Sequence, residues 1–446
     1  MDEISRDIKS GRLSKSEYIE NFTDIHPPLN DHEAIVEGDR CYFCYDAPCV
    51  EACPTGIDIP LFIRQISAGN SEGAAKTIFD QNILGGMTAR VCPTETLCQE
   101  ACVRNTGEDK PVKIGLLQRY ATDKIINKNV QTFSRSNQID KKIAVVGGGP
   151  SGLSCAHRLA TKGYKVTIFE ANSKIGGLNE YGIASYKTVN DFAQKEAEYI
   201  MGIGGIEKKL NVKLGDDIFL SNLKDEYDAV FLALGLTGVN SLGIEGEELV
   251  GIEDAVNYIE DLRQVDDLSK LKVGRKVVVI GGGFTAIDIA IQSKKLGAEE
   301  VTIVYRRGKD QMSASKLEQM NAQNNGVNIK YWLKPSNLKI EKGQVTGIEF
   351  DYTTIENGKV VSTGEKTKIN ADIIFRAIGQ KFNSDNIQDL PNIKNGRIIV
   401  DKTMKTSIEK IWAGGDCTPY GEDLTVTAVE QGKIAAEAIH EKLSNS

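Results

Sequence analysis

Apolar and polar positions follow a helical period in the first quarter of the chain. Between residues 30 and 125, apolar side chains recur three and four positions apart, which is the spacing of amphipathic helices. Asn30 precedes the first of these helices, and Glu33 stands three residues later, where a capping box requires it. The polar stretch 126–140 that follows is typical of a linker. We therefore predict an all-α domain over residues 1–125.

A strand pattern begins after the linker and occurs twice. The apolar run 143–146 leads into the glycine-rich turn 147–152, a helical segment and a second apolar run, 165–169. The same order of strand, glycine turn and strand returns at 276–280 and 301–305. Each set predicts a βαβ unit of the Rossmann type, so the chain carries two dinucleotide-binding folds.

The two βαβ units are predicted to lie in interleaved domains. A buried-strand pattern ending in glycine occurs at 229–235, and it returns at 373–379 after the second unit. Such a return indicates that one domain is inserted into the other. The predicted fold is therefore α/β, with a first dinucleotide-binding domain over 126–245 and 381–446 and a second over 246–380.

Composition restricts the classes of protein and partner. The chain has 446 residues and 40% apolar side chains, which is enough for several packed cores. Its formal charge of −8, without a block of Lys or Arg, excludes the basic surface that nucleic-acid binding requires. No apolar run approaches the roughly 18 residues of a membrane span, and the N-terminus lacks a signal-peptide pattern. We expect a cytoplasmic protein with neither a nucleic-acid nor a membrane partner.

The cysteines are concentrated in the helical part, where seven of the nine lie. The first four are followed by Pro54 and have the spacing CxxCxxxxCxxxCP, a bacterial ferredoxin run with one loop two residues longer. In a reducing compartment such a concentration favours iron–sulfur clusters, with structural zinc and disulfides as alternatives. Two 4Fe-4S clusters need eight ligands, so one is missing from the seven: Cys41, Cys44, Cys49, Cys53, Cys92, Cys98 and Cys102.

Two glycine-rich turns carry the nucleotide-binding patterns. The first is GxGxxG, and Glu170 ends the next strand, where its carboxylate can accept from ribose hydroxyls. The second has alanine in place of its third glycine, and its next strand ends in Arg306 and Arg307. Guanidinium groups at this position suit a 2′-phosphate, which favours NADP(H). NAD(H) remains open, because one arginine could be a solvated loop charge.

The sequence IWAGGDC at 411–417 precedes a predicted helix over 425–436. Asp416 is suited to bind a ribityl hydroxyl or, through water, a pyrophosphate, and the amides that begin the helix can point at a flavin carbonyl. Cys155 and Cys417 are interpreted as packing residues. None of the four histidines is flanked by a metal or triad pattern, and we assign no catalytic acid or base.

Several short sequence strings resemble those of a known protein family. GGGPSGL at 147–153, FEANSKIGGL at 169–178, VYRRG at 304–308 and AGGD at 413–416 resemble the glutamate synthase small-subunit type of flavin reductase. This resemblance implies a glutathione-reductase-type arrangement of the two Rossmann-like domains.

The helical part narrows the resemblance. DAPC at 46–49, CPT at 53–55, VCPT at 91–94 and IGLLQRYATD at 114–123 are similar to the N-terminal half of dihydropyrimidine dehydrogenase, which in bacteria is a separate chain. The front part is therefore expected to be an all-α domain with two 4Fe-4S clusters.

The family implies a role for each site residue. One cluster would be held by Cys41, Cys44, Cys49 and Cys102, and the other by Cys53, Cys92, Cys98 and a glutamine matching Gln118. FAD would bind at Gly147, Gly149, Pro150, Ser151, Gly152, Glu170, Gly177, Leu178, Lys187 (a position that is usually Arg), Gly415, Asp416 and Thr425. NAD(P)H would bind at Gly282, Gly283, Phe284, Thr285, Arg306, Arg307, Ala377 and Gly379.

Three positions depart from the family pattern. Phe284 stands where a polar residue is common, the turn usually written GIP reads Gly182, Ile183, Ala184, and Ser313 replaces an arginine that helps to hold the 2′-phosphate. The loss of that arginine offsets Arg306 and Arg307, so NAD(H) and NADP(H) are equally supported.

The resemblance also implies a function. NAD(P)H would give a hydride to FAD, and single electrons would then pass through the clusters to a partner subunit that carries FMN and iron–sulfur clusters. That partner would reduce uracil or thymine to 5,6-dihydropyrimidine within a hetero-oligomer. The alternatives are the small subunit of glutamate synthase and a ferredoxin:NAD(P) oxidoreductase. A thioredoxin-reductase-like enzyme would need a CxxC pair after Gly283, and the sequence has none there.

Overall fold

The computed structural model describes residues 13–128, 130–248 and 250–445. Residues 1–12 of the predicted helical domain lie outside the described residues. All regular elements described up to residue 128 are helices, which agrees with the predicted all-α part. They are α1 Lys15–Asn21, α2 Asp31–Gly38, α3 Pro48–Glu51, α4 Ile59–Ser67, α5 Ser71–Gln81, α6 Gly85–Val91, α7 Val103–Glu108 and α8 Ile114–Lys128, together with the short 3-10 helix Thr94–Thr96.

Local sequence explains where these helices begin and which side they bury. Asn30 Oδ1 accepts from the Glu33 amide at 2.9 Å, and the Glu33 carboxylate accepts from the Asn30 amide at 2.8 Å. The predicted capping box of α2 is therefore confirmed. In α4 the buried residues stand at positions i, i+3, i+4 and i+7, which is one face of a helix. They are Ile59, Phe62, Ile63 and Ile66.

The first part of the α/β region follows the linker. Its elements are β1 Lys142–Val146, α9 Pro150–Thr161, β2 Lys165–Glu170, α10 Leu178–Tyr181, α11 Phe192–Met201, β3 Ile206–Leu210, α12 Leu220–Glu226 and β4 Ala229–Leu232.

The second set of elements lies between residues 238 and 381. It contains β5 Gly238–Val239, β6 Ile252–Asp254, α13 Ala255–Gln264, β7 Lys276–Ile280, α14 Phe284–Lys295, β8 Glu300–Tyr305, α15 Lys316–Asn324, β9 Asn328–Tyr331, β10 Leu333–Glu341, β11 Gln344–Glu356, β12 Lys359–Asn370, β13 Ile373–Arg376 and β14 Gln380–Lys381. The chain then returns through β15 Ile393–Lys394, β16 Arg397–Ile398, β17 Ile411–Ala413 and α16 Thr425–Ser444.

Two five-stranded parallel sheets form the centres of these regions. The first has the order β17-β4-β1-β2-β3, and the second has the order β6-β13-β7-β8-β9. Every residue of β4 is buried, as expected for a strand covered on both faces. The strands β10, β11 and β12 form a separate antiparallel sheet. Two parallel sheets that follow an all-helical part along the chain confirm the predicted α/β class.

The described residues divide into two compact units. The first-sheet unit comprises His26–Glu180, Lys187–Thr237 and the residues from Phe382 onward. The second-sheet unit comprises the residues up to Ile25, together with Tyr181–Tyr186 and Gly238–Lys381. Among the described helices, none is both long and apolar enough to cross a bilayer.

This division differs from the predicted domain bounds. The helical part and the first sheet share one continuous core, in which Phe62 and Leu117 belong to the same cluster as Ile143 and Leu153. They therefore form one unit, where the sequence predicted two domains. The second-sheet unit begins at Gly238, ahead of the boundary predicted at residue 245, and the predicted domain bounds stay a prediction.

Two short segments were also assigned to other domains by the sequence. Helix α1 was predicted with the helical domain, but its buried Tyr18 packs in the core of the second-sheet unit. Asn21 fixes the same helix, since its side-chain amide donates to the Lys295 carbonyl at 2.8 Å. In the segment Tyr181–Tyr186, the Tyr186 hydroxyl donates to Asp288 at 3.3 Å within that unit.

Candidate cofactor sites

Four of the seven clustered cysteines line one cavity of the first-sheet unit. Cys41 and Cys44 follow α2, Cys49 lies in α3 and Cys102 caps α7. The remaining lining is mostly apolar and includes Ile59, Ile63, Val112 and Ile114, with Arg104 as its charged member. We call this cavity the Cys41 site, defined by Cys41, Cys44, Cys49 and Cys102.

The other three cysteines form a second group, the Cys53 site, defined by Cys53, Cys92 and Cys98. Cys98 is buried, and Cys92 follows the last residue of α6, where its amide donates to the Thr88 carbonyl at 3.0 Å. Cys53 Sγ lies 3.4 Å from the hydroxyl of the buried Thr55. The three side chains come from separate segments, and the effects of Cys53 on the pKa of Cys92 and of Cys98 indicate that they lie close together.

Electrostatics supports the same division. Burial raises the pKa of Cys49 to about 12, and the next causes are the charges of Cys41 and Cys102. Burial also raises the pKa of Cys92, and the next causes are the charges of Cys98 and Cys53. The pKa of Cys98 is raised by burial and then by Cys53 and Cys49. Since Cys49 acts on Cys98, the two sites are neighbours, and iron would have to hold these buried thiols deprotonated.

The spacing of the thiols differs from that of a single-ion site. Within the described residues, no three His, Cys, Asp or Glu side chains are arranged to hold one metal ion. In a 4Fe-4S cluster each thiolate binds a different iron, and four thiolates around an apolar cavity fit that chemistry.

Gln118 is not joined to the cysteines by a hydrogen bond. Its side-chain amide donates to the Gly85 carbonyl at 2.7 Å and to the Thr88 hydroxyl at 3.0 Å, so it is bound to α6, the helix that precedes Cys92. Gln118 is buried on α8, and its two hydrogen bonds connect it to the helix that ends just before Cys92. Its role as the eighth ligand stays a prediction.

The first glycine turn has the close approaches that a pyrophosphate site requires. Gly147 has φ +105°, and a Cβ there would lie 2.1 Å from the Ala233 carbonyl oxygen. A Cβ on Gly152 would lie 2.0 Å from the Gly147 carbonyl oxygen, so helix and strand pack closely. Pro150 and Ser151 begin α9, whose N-terminal amides can face a phosphate.

Glu170 contributes to this turn in a way that the sequence did not predict. Its carboxylate accepts from the Gly148 amide at 2.7 Å and from the Asn172 amide at 2.9 Å. Burial raises the pKa of Glu170 against these bonds. Glu170 therefore holds the glycine turn, and its remaining lone pairs are the ones that a ribose hydroxyl could use.

Buried polar atoms without partners lie around the same turn. Ser151 Oγ and Asn179 Nδ2 have no hydrogen-bond partner among the described residues, although both atoms are buried. A Cβ on Gly415 would lie 3.2 Å from Ser151, and Thr425 donates to Asn179 Oδ1 at 3.1 Å. Residues of the AGGD string and of α16 are thus brought to the turn, and they fit a dinucleotide with a polar ring system.

The remaining predicted FAD residues are also in this unit. Burial raises the pKa of Asp416 to about 6, so this carboxylate lacks full solvation and suits a hydroxyl donor. Gly177 approaches Gly149, because a Cβ on Gly177 would lie 2.7 Å from the Gly149 Cα. Leu178 begins α10, and Lys187 is buried. Asn179 is an addition that the sequence reasoning missed, since an asparagine beside a glycine pair is an ordinary helix start.

The second glycine turn repeats the first. A Cβ on Gly281 would lie 2.1 Å from the Ala377 carbonyl oxygen, the same relation as Gly147 to Ala233. Gly283 caps α14, so Phe284 and Thr285 form its first turn, and Ser313 Oγ donates to the Gly282 carbonyl at 3.4 Å. Gly379 follows β13 with φ +90°.

Arg306 and Arg307 follow directly after the last residue of β8. Their carbonyls accept from Thr353 and Trp332, which fixes the backbone. Arg306 is exposed and Arg307 is half-buried, and among the described residues neither guanidinium group forms an ion pair. Both are therefore available to a phosphate group.

Two side chains that are not among the predicted site residues hold together segments of the first-sheet unit that lie next to the cysteines. Lys433, on α16, donates to the Thr55 carbonyl and to Gln81 Oε1, both at 3.0 Å. Glu196, on α11, accepts from the Gly86 amide at 2.7 Å and the Met87 amide at 3.1 Å, at the start of α6. Neither belongs to a sequence motif, so only the folded chain reveals them.

Comparison with known proteins identifies the cofactors of this chain. A family model described as pyridine nucleotide-disulphide oxidoreductase matches residues 141–432. A second model, described as dihydropyrimidine dehydrogenase domain II, 4Fe-4S cluster, matches residues 18–130. The domains confirm FAD, NAD(P)H and iron–sulfur clusters as the cofactors, and the orphaned atoms and thiol groups described above fit them.

Relatives cover nearly the whole chain. The chain is 35% identical over 428 residues to NAD-dependent dihydropyrimidine dehydrogenase subunit PreT of Escherichia coli, covering 96% of this chain and 98% of the relative. It is 33% identical to the Escherichia coli glutamate synthase [NADPH] small chain, covering 94% and 93%. Mycobacterium tuberculosis FprA in complex with NADPH has a similar fold, with a TM-score of 0.59 at 20% identity over 68% of this chain and 85% of that one. The chain belongs to the pyridine nucleotide-disulphide oxidoreductases, in the family of flavin and iron–sulfur subunits that includes PreT and the glutamate synthase small chain.

Proposed function

We propose that the chain is the NAD(P)H-oxidising subunit of a complex that reduces uracil or thymine to 5,6-dihydropyrimidine. When bound, FAD takes a hydride equivalent from NAD(P)H and the clusters carry its two electrons singly. The partner subunit supplies FMN, further clusters and the pyrimidine site. The observation that carries the proposal is the division of the seven cysteines into two neighbouring sites, one of them joined to the helix that follows the AGGD string.

Contacts between the sites support an order along this route. Thr55 contacts Cys53, and its carbonyl is bound by Lys433 of α16, so the Cys53 site is tied to the proposed flavin site. The Cys41 site neighbours the Cys53 site, and Tyr45, next to Cys44, has a fully exposed side chain. We infer that electrons enter at the Cys53 site and leave from the Cys41 site toward the partner.

The site assignments are part of the proposal. The chain would hold one cluster at the Cys41 site and the other at the Cys53 site with Gln118, FAD at the first glycine turn with Asp416 and α16, and NAD(P)H at the second turn with Arg306 and Arg307. The cytoplasm is the proposed location, because these thiols must stay reduced to bind iron.

The small subunit of glutamate synthase is a second candidate. The 33% identity over nearly the full chain supports it as well as the identity to PreT supports the first. What favours the pyrimidine complex is the helical part, whose matching family model is described by dihydropyrimidine dehydrogenase. The partner chain distinguishes the two candidates.

The test uses the chain purified anaerobically, alone and with each candidate partner. Alone, it should oxidise NADH or NADPH with ferricyanide as electron acceptor and leave uracil unchanged. With an FMN-containing partner it should form dihydrouracil, measured by chromatography, and native mass spectrometry should find both chains, flavin and iron. Full-rate uracil reduction by the isolated chain would overturn the division of labour. Glutamate formation with the large glutamate synthase subunit would select the second candidate.

A further inference from the structure

Arg104 is the charged side chain that lines the Cys41 site. It is held in place from three directions. Its Nε donates to the Arg40 carbonyl oxygen, its guanidinium lies 4.0 Å from the centre of the Tyr42 ring, and its Nη1 contacts both Glu108 oxygens at 2.6 and 2.7 Å. A side chain with so many fixed contacts keeps its charge at one position relative to the cavity.

Glu108 forms an ion pair with Arg104, and this pair has a defined orientation relative to the cavity. Glu108 stands four residues after Arg104 on α7 and also accepts from the Tyr42 hydroxyl at 2.9 Å. The Arg104 side chain is 17% exposed and lines the cavity, whereas Glu108 is 40% exposed and lies outside the lining. The ion pair is therefore a dipole whose positive end faces the cysteines and whose negative end faces solvent.

Such a dipole acts on the redox equilibrium of a cluster. Adding an electron to a cluster at the Cys41 site adds one negative charge inside an apolar wall, where a nearby cation is poorly screened. Charges and hydrogen bonds around a cluster are among the factors that set its reduction potential. Arg104 stabilises the more negative, reduced state, and Glu108 weakens this effect.

We propose that Arg104 is a positioning residue for electron exit, which raises the reduction potential of the cluster at the Cys41 site. The inference rests on the proposed function, since it requires a cluster bound by these four cysteines. A higher potential at this site draws electrons from the Cys53 site toward the partner.

The test is a redox titration of the anaerobic holoprotein, followed by electron paramagnetic resonance. Arg104→Gln should shift the midpoint potential of one cluster downward and leave the other in place. Glu108→Gln, which keeps Arg104, should shift the same midpoint upward. Lys76→Gln is the matched control, because Lys76 and Asp80 form an exposed i,i+4 pair on α5; it should move neither midpoint.

Each outcome decides the inference. Two intact clusters with unchanged midpoints in Arg104→Gln would overturn it, and so would equal shifts of both clusters. If Arg104→Gln loses a cluster, the Glu108→Gln titration decides, since an unmoved midpoint there also overturns the proposal. A wild-type chain without two cluster signals would instead refute the proposed function.

Discussion

Glu196 brings a carboxyl group into the interior of the first-sheet unit. It is 1% exposed, and burial raises its pKa to about 8, against the Met87 and Gly86 amides and the charge of Arg90. Arg90 itself lies over the Phe192 ring, at 3.4 Å from its centre, and pairs with Asp123 at 2.8 Å. Glu196 therefore ties α11 to the start of α6, the helix that leads to Cys92.

The raised pKa has a definite sign for stability. The folded chain favours the protonated carboxyl, so this contribution is complete below the unfolded pKa, near 4.5, and is lost as the pH rises toward 8. Glu196→Gln keeps the oxygen acceptor but does not titrate. Over pH 5 to 8, we expect the free energy of unfolding of Glu196→Gln to fall less steeply with pH than that of the wild type. The two slopes should differ by at most about 1.4 kcal/mol per pH unit.

Urea unfolding of the first-sheet unit at several pH values measures this difference. Glu196→Ala is the companion variant, because it removes both the titration and the acceptor. It should be less stable at every pH by about 1–3 kcal/mol, since two buried amides lose their partner. An unchanged pH slope in Glu196→Gln would contradict the assignment.

Single residues differ in how well the sequence predicts them. The ferredoxin-like spacing predicted a metal-binding region at the seven cysteines. Four of them line one cavity and the other three lie near it, whereas their assignment as cluster ligands stays a prediction. The contacts of Glu196 and Thr55 were not predicted, because their partners, the Gly86 amide and the Lys433 ammonium group, are 110 and 378 residues away in sequence. Such contacts have no local spacing that a pattern could detect.

At the scale of elements, α16 connects the proposed flavin site to the Cys53 site. Its N-terminal residue Thr425 bonds Asn179, and two turns later Lys433 reaches Thr55 and Gln81. The Lys433 side chain is 14% exposed and also pairs with Glu430 at 2.7 Å. One rigid helix therefore contacts both places, which fixes their separation.

Lys433→Met tests this connection, because methionine keeps an apolar stem but leaves the Thr55 carbonyl unbound. We expect flavin reduction by NAD(P)H at the wild-type rate and several-fold slower reduction of the clusters, followed anaerobically by stopped-flow absorbance. Stability should fall by about 1–3 kcal/mol. Lys442→Met, an exposed position near the end of the same helix, is the control. Equal cluster reduction in wild type and Lys433→Met would show that the contact does not position the site.

Elements bounded by glycine were the easiest to predict. β7 has the predicted bounds of 276–280, and β8 begins one residue before the predicted 301, because apolar runs next to glycine turns have sharp ends. The segment Tyr181–Tyr186 was not predicted to belong to the second-sheet unit. Its assignment depends on Tyr186 and Asp288, which are distant in sequence, and short loops carry no periodic signal.

At the scale of the whole molecule, each unit has its own apolar cores. Phe62, Leu117 and Ile143 share a core of the first-sheet unit, whereas Tyr186 and Ile287 share one in the second-sheet unit. The proposed FAD and cluster sites use residues of the first-sheet unit, and the proposed NAD(P)H site uses residues of the second. Ligands that bind a folded unit stabilise that unit by mass action.

Differential scanning calorimetry of the anaerobic holoprotein should therefore resolve two transitions that respond to different ligands. NAD(P)⁺ at 100 times its Kd should stabilise one transition by about 2.7 kcal/mol, which raises its Tm by roughly 5–10 °C for a unit of this size. Removing iron with a chelator should lower the other transition, because the Cys41 and Cys53 sites share a core with the first sheet. A single transition that shifts equally with nucleotide and with chelator would contradict separate cores, and nucleotide stabilising the iron-dependent transition would move the NAD(P)H site to the first-sheet unit.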